Sequence, residues 1–146
     1  AYSRLEETPK AIEAWKSEKH PFDVWSDVEK HAAAKTPMKS IAAPDLERMK
    51  WHGFLYRKRD GAGRYMSRIR ITAGELTGKQ AREIAHIAYE YGHGIVDVTT
   101  RANLQIQGLG IEHVPKVVER LANVGLSAKQ TGHDNIRMCL PIPSAD

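Results

Sequence analysis

The 146-residue sequence predicts an α+β fold, in which two helices lie on one face of an antiparallel sheet behind an N-terminal helical arm. Three observations carry this reading. Tyr65, Met66, Ser67, Arg68, Ile69, Arg70 and Ile71 alternate large and polar side chains, as a half-buried strand does. Two later stretches space their apolar residues for a helix, and each stops at a glycine, Gly92 and Gly125. Between them, two short apolar runs flank Thr99, Thr100, Arg101, Ala102 and Asn103, the pattern of a hairpin.

The elements follow in order. Residues 9–18 and 21–35 read as two short helices with acidic first turns and lysine near their ends, the polarity that the helix dipole favours. Trp15, Phe22, Val24, Trp25 and Val28 are their sparse apolar anchors. Pro37 and Pro44 interrupt the pattern, and Asp45 is placed to cap a third short helix reaching Trp51. So few apolar residues cannot close a core, so this arm is expected to lie against something else. Thr77 then caps a helix over 78–91 with Ala81, Ile84, Ala85, Ala88 and Tyr91 as its apolar stripe. Residues 94–99 and 103–108 are the second and third strands. Pro115 opens and Gly125 closes a helix over 114–124, and residues 127–131 supply a fourth short strand. Strand, helix, strand, strand, helix, strand is the split βαβ order of the ferredoxin-like fold. Residues 136–143 form one more extended segment ending near Asp146, which reads as a chain cut at a domain boundary.

Composition narrows the function. An apolar content of 41% suffices for one core. No apolar run spans a membrane and the first seven residues lack the apolar stretch of a signal peptide, so a soluble, cytoplasmic protein is expected. Arg57, Lys58, Arg59, Arg64, Arg68 and Arg70 crowd into fourteen positions, which implies an anionic partner or cofactor, with a solvated loop as the alternative for the first three. The single cysteine, Cys139, reads as a small buried hydrophobe and cannot hold an iron-sulfur cluster, which takes about four thiolates. Seven histidines show no close pairing of the metal-ligand kind. The central strands offer Val96, Val98, Leu104 and Ile106 where stacking on nucleic acid would need rings, so no nucleic-acid partner is expected.

A ferredoxin-like sheet does not specify a function; the site must. Arg68 falls near the end of the first strand, Arg101 on the hairpin and Arg137 beyond the fourth strand. Arginine presents a planar fork of donors that suits carboxylates and phosphates, and it stays charged. Asn103 and Gln105 follow Arg101 at period two, so three polar groups are expected on one face. Unrelated exposed arginines and an ordinary asparagine turn remain the alternatives at this point.

Five spaced motifs carry a resemblance. They are Arg48-Met49-Lys50-Trp51-His52-Gly53-Phe54-Leu55-Tyr56-Arg57-Lys58, then Gly63-Arg64-Tyr65-Met66-Ser67-Arg68-Ile69-Arg70, then Asp97 through Gln105, Gly125-Leu126, and Gly132-His133-Asp134-Asn135-Ile136-Arg137. In this order they resemble the N-terminal part of the siroheme-dependent nitrite and sulfite reductases, and the Asp134 to Arg137 and Lys50 to Phe54 blocks look more like the ferredoxin-dependent nitrite enzymes. The resemblance implies an arm over 1–50, a ferredoxin-like half-domain over 51–132, and the start of a siroheme and 4Fe-4S domain over 133–146. It also implies six-electron reduction of nitrite to ammonia, ferredoxin as donor, and siroheme bound through Arg68, Thr100, Arg101, Asn103, Gln105 and Arg137. Arg68 and Arg137 would lie nearest the reacting anion. The sequence departs from the family where Met138-Cys139-Leu140-Pro141 replaces its usual Asn and Gly-Asn-Pro continuation, and the cluster cysteines and the second, repeated half are not in these 146 residues. This piece alone is therefore expected to be inactive without the C-terminal half of its polypeptide. A sulfite reductase module and a non-catalytic small-anion-binding module are the alternative functions.

Overall fold

A computed structural model describes residues 9–56 and 63–132. The arm holds helices α1 (Pro9–Glu18), α2 (Trp25–Ala33) and α3 (Ala43–Met49). Strands β1 (Phe54–Tyr56) and β2 (Tyr65–Ile69), helix α4 (Gly78–Tyr91), strands β3 (Val96–Val98) and β4 (Leu104–Leu109), and helix α5 (Val114–Asn123) follow. The four strands form one antiparallel sheet in the order β1-β2-β4-β3.

Local chemistry accounts for most boundaries. Thr77 and Gln80 close a reciprocal capping box at the start of α4, so the first turn's N–H groups are not left open. Pro115 sits in the first turn of α5, where a missing N–H costs nothing. In α3 the cap is Ala42 rather than Asp45, whose carboxylate instead pairs with Arg48 at 2.8 Å. The first turn of α1 carries no acid; Glu13 lies one turn later and binds Lys16. The buried side of α4 is Ile84, Ile87 and Ala88, while Ala81 and Ala85 are exposed. An alanine methyl is too small to choose a face, and the isoleucines orient the helix.

The sheet edge differs from the expected one. Residues 127–131 make only one bridge, Ser127 opposite Arg70, and β1 fills the remainder of that edge by pairing Phe54, Leu55 and Tyr56 with Ser67, Met66 and Tyr65. Gln130 has a left-handed backbone (φ 56°), which ends any strand there. Gly53 (φ 83°) turns the chain from α3 into β1 so close to the same segment that a Cβ would lie 2.0 Å from the Ala128 carbonyl oxygen. Only glycine fits that approach.

One core runs through arm and sheet. Val24, Val28, Ile41, Leu46 and Met49 pack in the same cluster as Phe54, Ile69, Ile84, Ile106 and Leu121, so the arm does lie on the rest of the chain. Charges buried with it are paired, as low dielectric demands. Lys50 Nζ donates to both oxygens of Glu47 at 2.5 and 2.7 Å, and Tyr56 Oη donates to Glu47 Oε1 at 2.9 Å. Arg48 reaches across to the Trp15 carbonyl at 2.7 Å and ties α1 down. Strand alternation sends Ser67, Ile69 and Ile106 to the buried side of the sheet and Arg68, Arg70, Gln105 and Gln107 to the other. No described helix is long and apolar enough to cross a membrane.

Candidate anion-binding site

Antiparallel register sets Asp97, Gln105 and Arg68 side by side on three adjacent strands. Directly opposed residues share a face, so these three form one polar row across the sheet. The Gln105 amide oxygen accepts from Arg68 Nε and Nη2 at 3.1 and 3.2 Å. From the other side, Arg68 Nη1 donates to the Thr131 carbonyl at 3.1 Å, and the single Thr131 Oγ1 proton is shared between the Arg68 carbonyl at 2.9 Å and the Ala128 carbonyl at 2.7 Å. Three of the five guanidinium N–H groups are thereby used, and among the described residues one on each terminal nitrogen is left.

No carboxylate among the described residues compensates the charge of this fork. Among the described residues neither Arg68 nor Arg101 forms an ion pair with a carboxylate, and Asp97 accepts from Gln107 Nε2 at 2.7 Å. Burial, and after it the positive charge of Arg101, hold Arg68 below the usual arginine range. Both effects disfavour the cation, and a nearby anion would offset the second of them.

The hairpin serves a different purpose from the one expected of its asparagine. Thr99 Oγ1 accepts from the N–H groups of Arg101 and Asn103 at 3.3 and 3.0 Å, and the Ala102 N–H closes the turn onto the Thr99 carbonyl at 3.0 Å. Asn103 is buried, and its Oδ1 accepts from the Ile71 N–H at 3.1 Å. It therefore pins the hairpin to the end of β2. Thr100 and Arg101 stand exposed at the tip. Of the predicted group, the structure brings Arg68 and Gln105 into contact, sets Arg101 near enough for its charge to act on Arg68, and gives Asn103 a structural role. Arg137 lies outside the described residues, as do Arg57, Lys58, Arg59, Asp134, Asn135, Cys139 and the extended segment over 136–143. Asp97 and Thr99 lie in the hairpin motif that the sequence singles out, though not among the expected binding residues, and Thr131 was expected only as part of a fourth strand. The register of β3 against β4 sets Asp97 opposite Gln105, whereas no local pattern points to Thr131.

Comparison with known proteins comes to the same region. Residues 56–124 match the nitrite/sulfite reductase ferredoxin-like half domain. A chloroplastic ferredoxin–nitrite reductase of Zea mays is 36% identical over 129 residues, covering 84% of this chain and 23% of that protein. A ferredoxin–nitrite reductase of Synechococcus elongatus is 41% identical over 99 residues, covering 67% of this chain and 19% of that protein. The structure of the Mycobacterium tuberculosis NirA protein superposes with a TM-score of 0.80 at 28% identity, over 91% of this chain and 27% of that one. The chain thus spans about a quarter of the length of the proteins it matches.

Proposed function

From the match of residues 56–124 to the nitrite/sulfite reductase ferredoxin-like half domain, we propose that this chain belongs to that family and is the N-terminal module of a ferredoxin-dependent nitrite reductase. The parent enzyme would reduce nitrite to ammonia with six electrons, and this module would supply binding groups for siroheme and for the anion. The single observation that supports the reading best is Arg68: a half-buried cation, oriented on two sides by Gln105 and Thr131, with donors left over and no acid to neutralise it among the described residues.

The donor set fits a macrocycle carrying carboxylates. Arg68 and Arg101 offer forks of permanent charge, Thr100 and Gln105 lie beside them, and Asn103 holds the hairpin that presents Arg101. Arg137 belongs to the same group in this reading. Siroheme, when bound, supplies the iron chemistry and the electron path. The protein's part is electrostatic: Arg68, with Arg137, holds the anion and stabilises negative charge that builds on it during reduction, without reorganising. A 4Fe-4S cluster needs about four thiolates, and with Cys139 the only cysteine present its ligands would come from the rest of the polypeptide. By the same reasoning the 146 residues alone are inactive. The parent works in the aqueous phase with ferredoxin, in the cytoplasm on this reading, although the maize relative's name places that protein in the chloroplast.

The test uses the full-length parent enzyme. Arg68→Ala should lower nitrite turnover about 10²–10³-fold, the scale seen when one preorganised charge-stabilising donor is removed, and Arg68→Lys should recover only part of it because one ammonium cannot replace a fork. Unchanged nitrite turnover and unchanged siroheme content in Arg68→Ala would sink the reading. Sulfite reduced faster than nitrite with reduced ferredoxin would replace nitrite reductase by sulfite reductase.

A further inference from the structure

The resemblance accounts for Arg68 and Arg101 but leaves Arg70 without a role, and the geometry around it is specific. Arg70 lies two residues beyond Arg68 on the same face of the sheet. Its Nη2 donates to the Gln130 carbonyl at 2.7 Å and to the Lys129 carbonyl at 3.3 Å, and its backbone N–H donates to the Ser127 carbonyl at 2.9 Å. The next carbonyl in the chain, that of Thr131, receives Arg68. Three successive carbonyls of one turn are therefore shared between two guanidinium groups. The turn itself is not self-supporting, because Gln130 sits at a left-handed φ of 56° that a side chain disfavours. Its other ties are the Gln130 N–H to the Trp51 carbonyl at 2.7 Å and Thr131 Oγ1 to the Ala128 carbonyl at 2.7 Å.

We propose that Arg70 is a positioning residue of the anion site: by gripping the carbonyls of Lys129 and Gln130 it fixes Thr131, and Thr131 in turn aims the Arg68 guanidinium. This rests on the reading of Arg68 given above. An arginine that met solvent or an acid would not need this arrangement, whereas one that spends a terminal nitrogen on the strained turn next to Arg68 sets the orientation of the Arg68 fork. Arg70 makes no contact with the anion in this scheme. Its loss would act only while Arg68 is present.

A double-mutant cycle in the full-length holoenzyme reads this directly, with nitrite binding followed through the siroheme absorption spectrum. Arg70→Ala should weaken nitrite binding about 10-fold, the lower end of what loss of an orienting partner costs, at unchanged siroheme content. In an Arg68→Ala background the same change should cost less than about twofold, since coupled residues are not additive. An equal loss in both backgrounds, or no loss in the first, overturns the proposal while leaving Arg68 in place. If Arg68→Ala itself leaves nitrite binding unchanged, the site reading and this inference fall together. Should Arg70→Ala not fold, Arg70→Lys keeps the charge but not the fork, and hydrogen exchange of residues 127–132 replaces the binding readout. Faster exchange there is expected, and unaltered exchange would overturn the role.

Discussion

Asn103 fastens the hairpin to the end of β2. Its Oδ1 is the acceptor for the buried Ile71 N–H, so Asn103→Ala leaves a donor unpaired where water does not reach. That costs about 1–3 kcal/mol, and urea unfolding should show it, while Thr100→Ala at the exposed tip should unfold within about 0.5 kcal/mol of the parent. The two residues are three apart in sequence and share the same polar character. What separates them is a contact with a residue 32 positions away, which no reading of the hairpin alone contains. Arg68 was legible because a charge on an alternating strand stands out. Its partner Gln105 was legible by period, but the bond between them follows from strand register, and Thr131 follows from a turn that has no sequence signature.

At the level of elements, legibility tracked the strength of the local signal. Helix α4 begins at a Thr77–Gln80 box and ends at Gly92, and its observed span is the one those signals predict. Thr77→Ala should lower stability by about 1 kcal/mol in thermal or urea unfolding. Strand β1 was missed because three residues are too few to display a period, and the strand over 127–131 was overestimated because a left-handed Gln130 is invisible in composition. The two errors have one cause. The edge of β2 is shared between a segment arriving from the arm and one leaving α5, and only their packing decides which pairs where. Gly53 is the joint: Gly53→Ala adds the cost of a left-handed backbone to a clash with the Ala128 carbonyl. About 2–5 kcal/mol of destabilisation is expected from the two together, and parental stability in the Gly53→Ala variant would mean that the arm does not cross the sheet edge at this point.

For the whole molecule, the joint between arm and half-domain carries a titratable group, and acid should weaken it. His52 is buried, with its ring against Trp25 (centroids 5.0 Å apart) and edge-to-face with Phe22 (5.3 Å), and its Nε2 has no hydrogen-bond partner among the described residues. Burial, and after it the charge of Lys129, push its pKa from 6.5 down to about 4. A folded state that resists protonation binds fewer protons than the unfolded chain between those two values, so stability is fully present above pH 6.5 and declines as pH falls towards 4. Below about 4 both states are protonated and this loss stops. At about 1.4 kcal/mol per unit the interval corresponds to about 3 kcal/mol, large beside the usual range of about 5–15 kcal/mol for a domain. Asp27 contributes in a lower window: Lys19, then Lys30, hold its carboxyl at about 2 from 3.8, so its share is kept above 3.8 and lost only towards 2. The two windows do not overlap, which makes His52 separable. Urea unfolding at about pH 7.5 and about pH 4.5, on either side of most of the His52 interval, should show a drop in the parent that His52→Phe greatly reduces, because a phenyl ring keeps the aromatic packing and cannot take a proton. A drop of the same size in His52→Phe would place the acid sensitivity elsewhere and release the arm from this role.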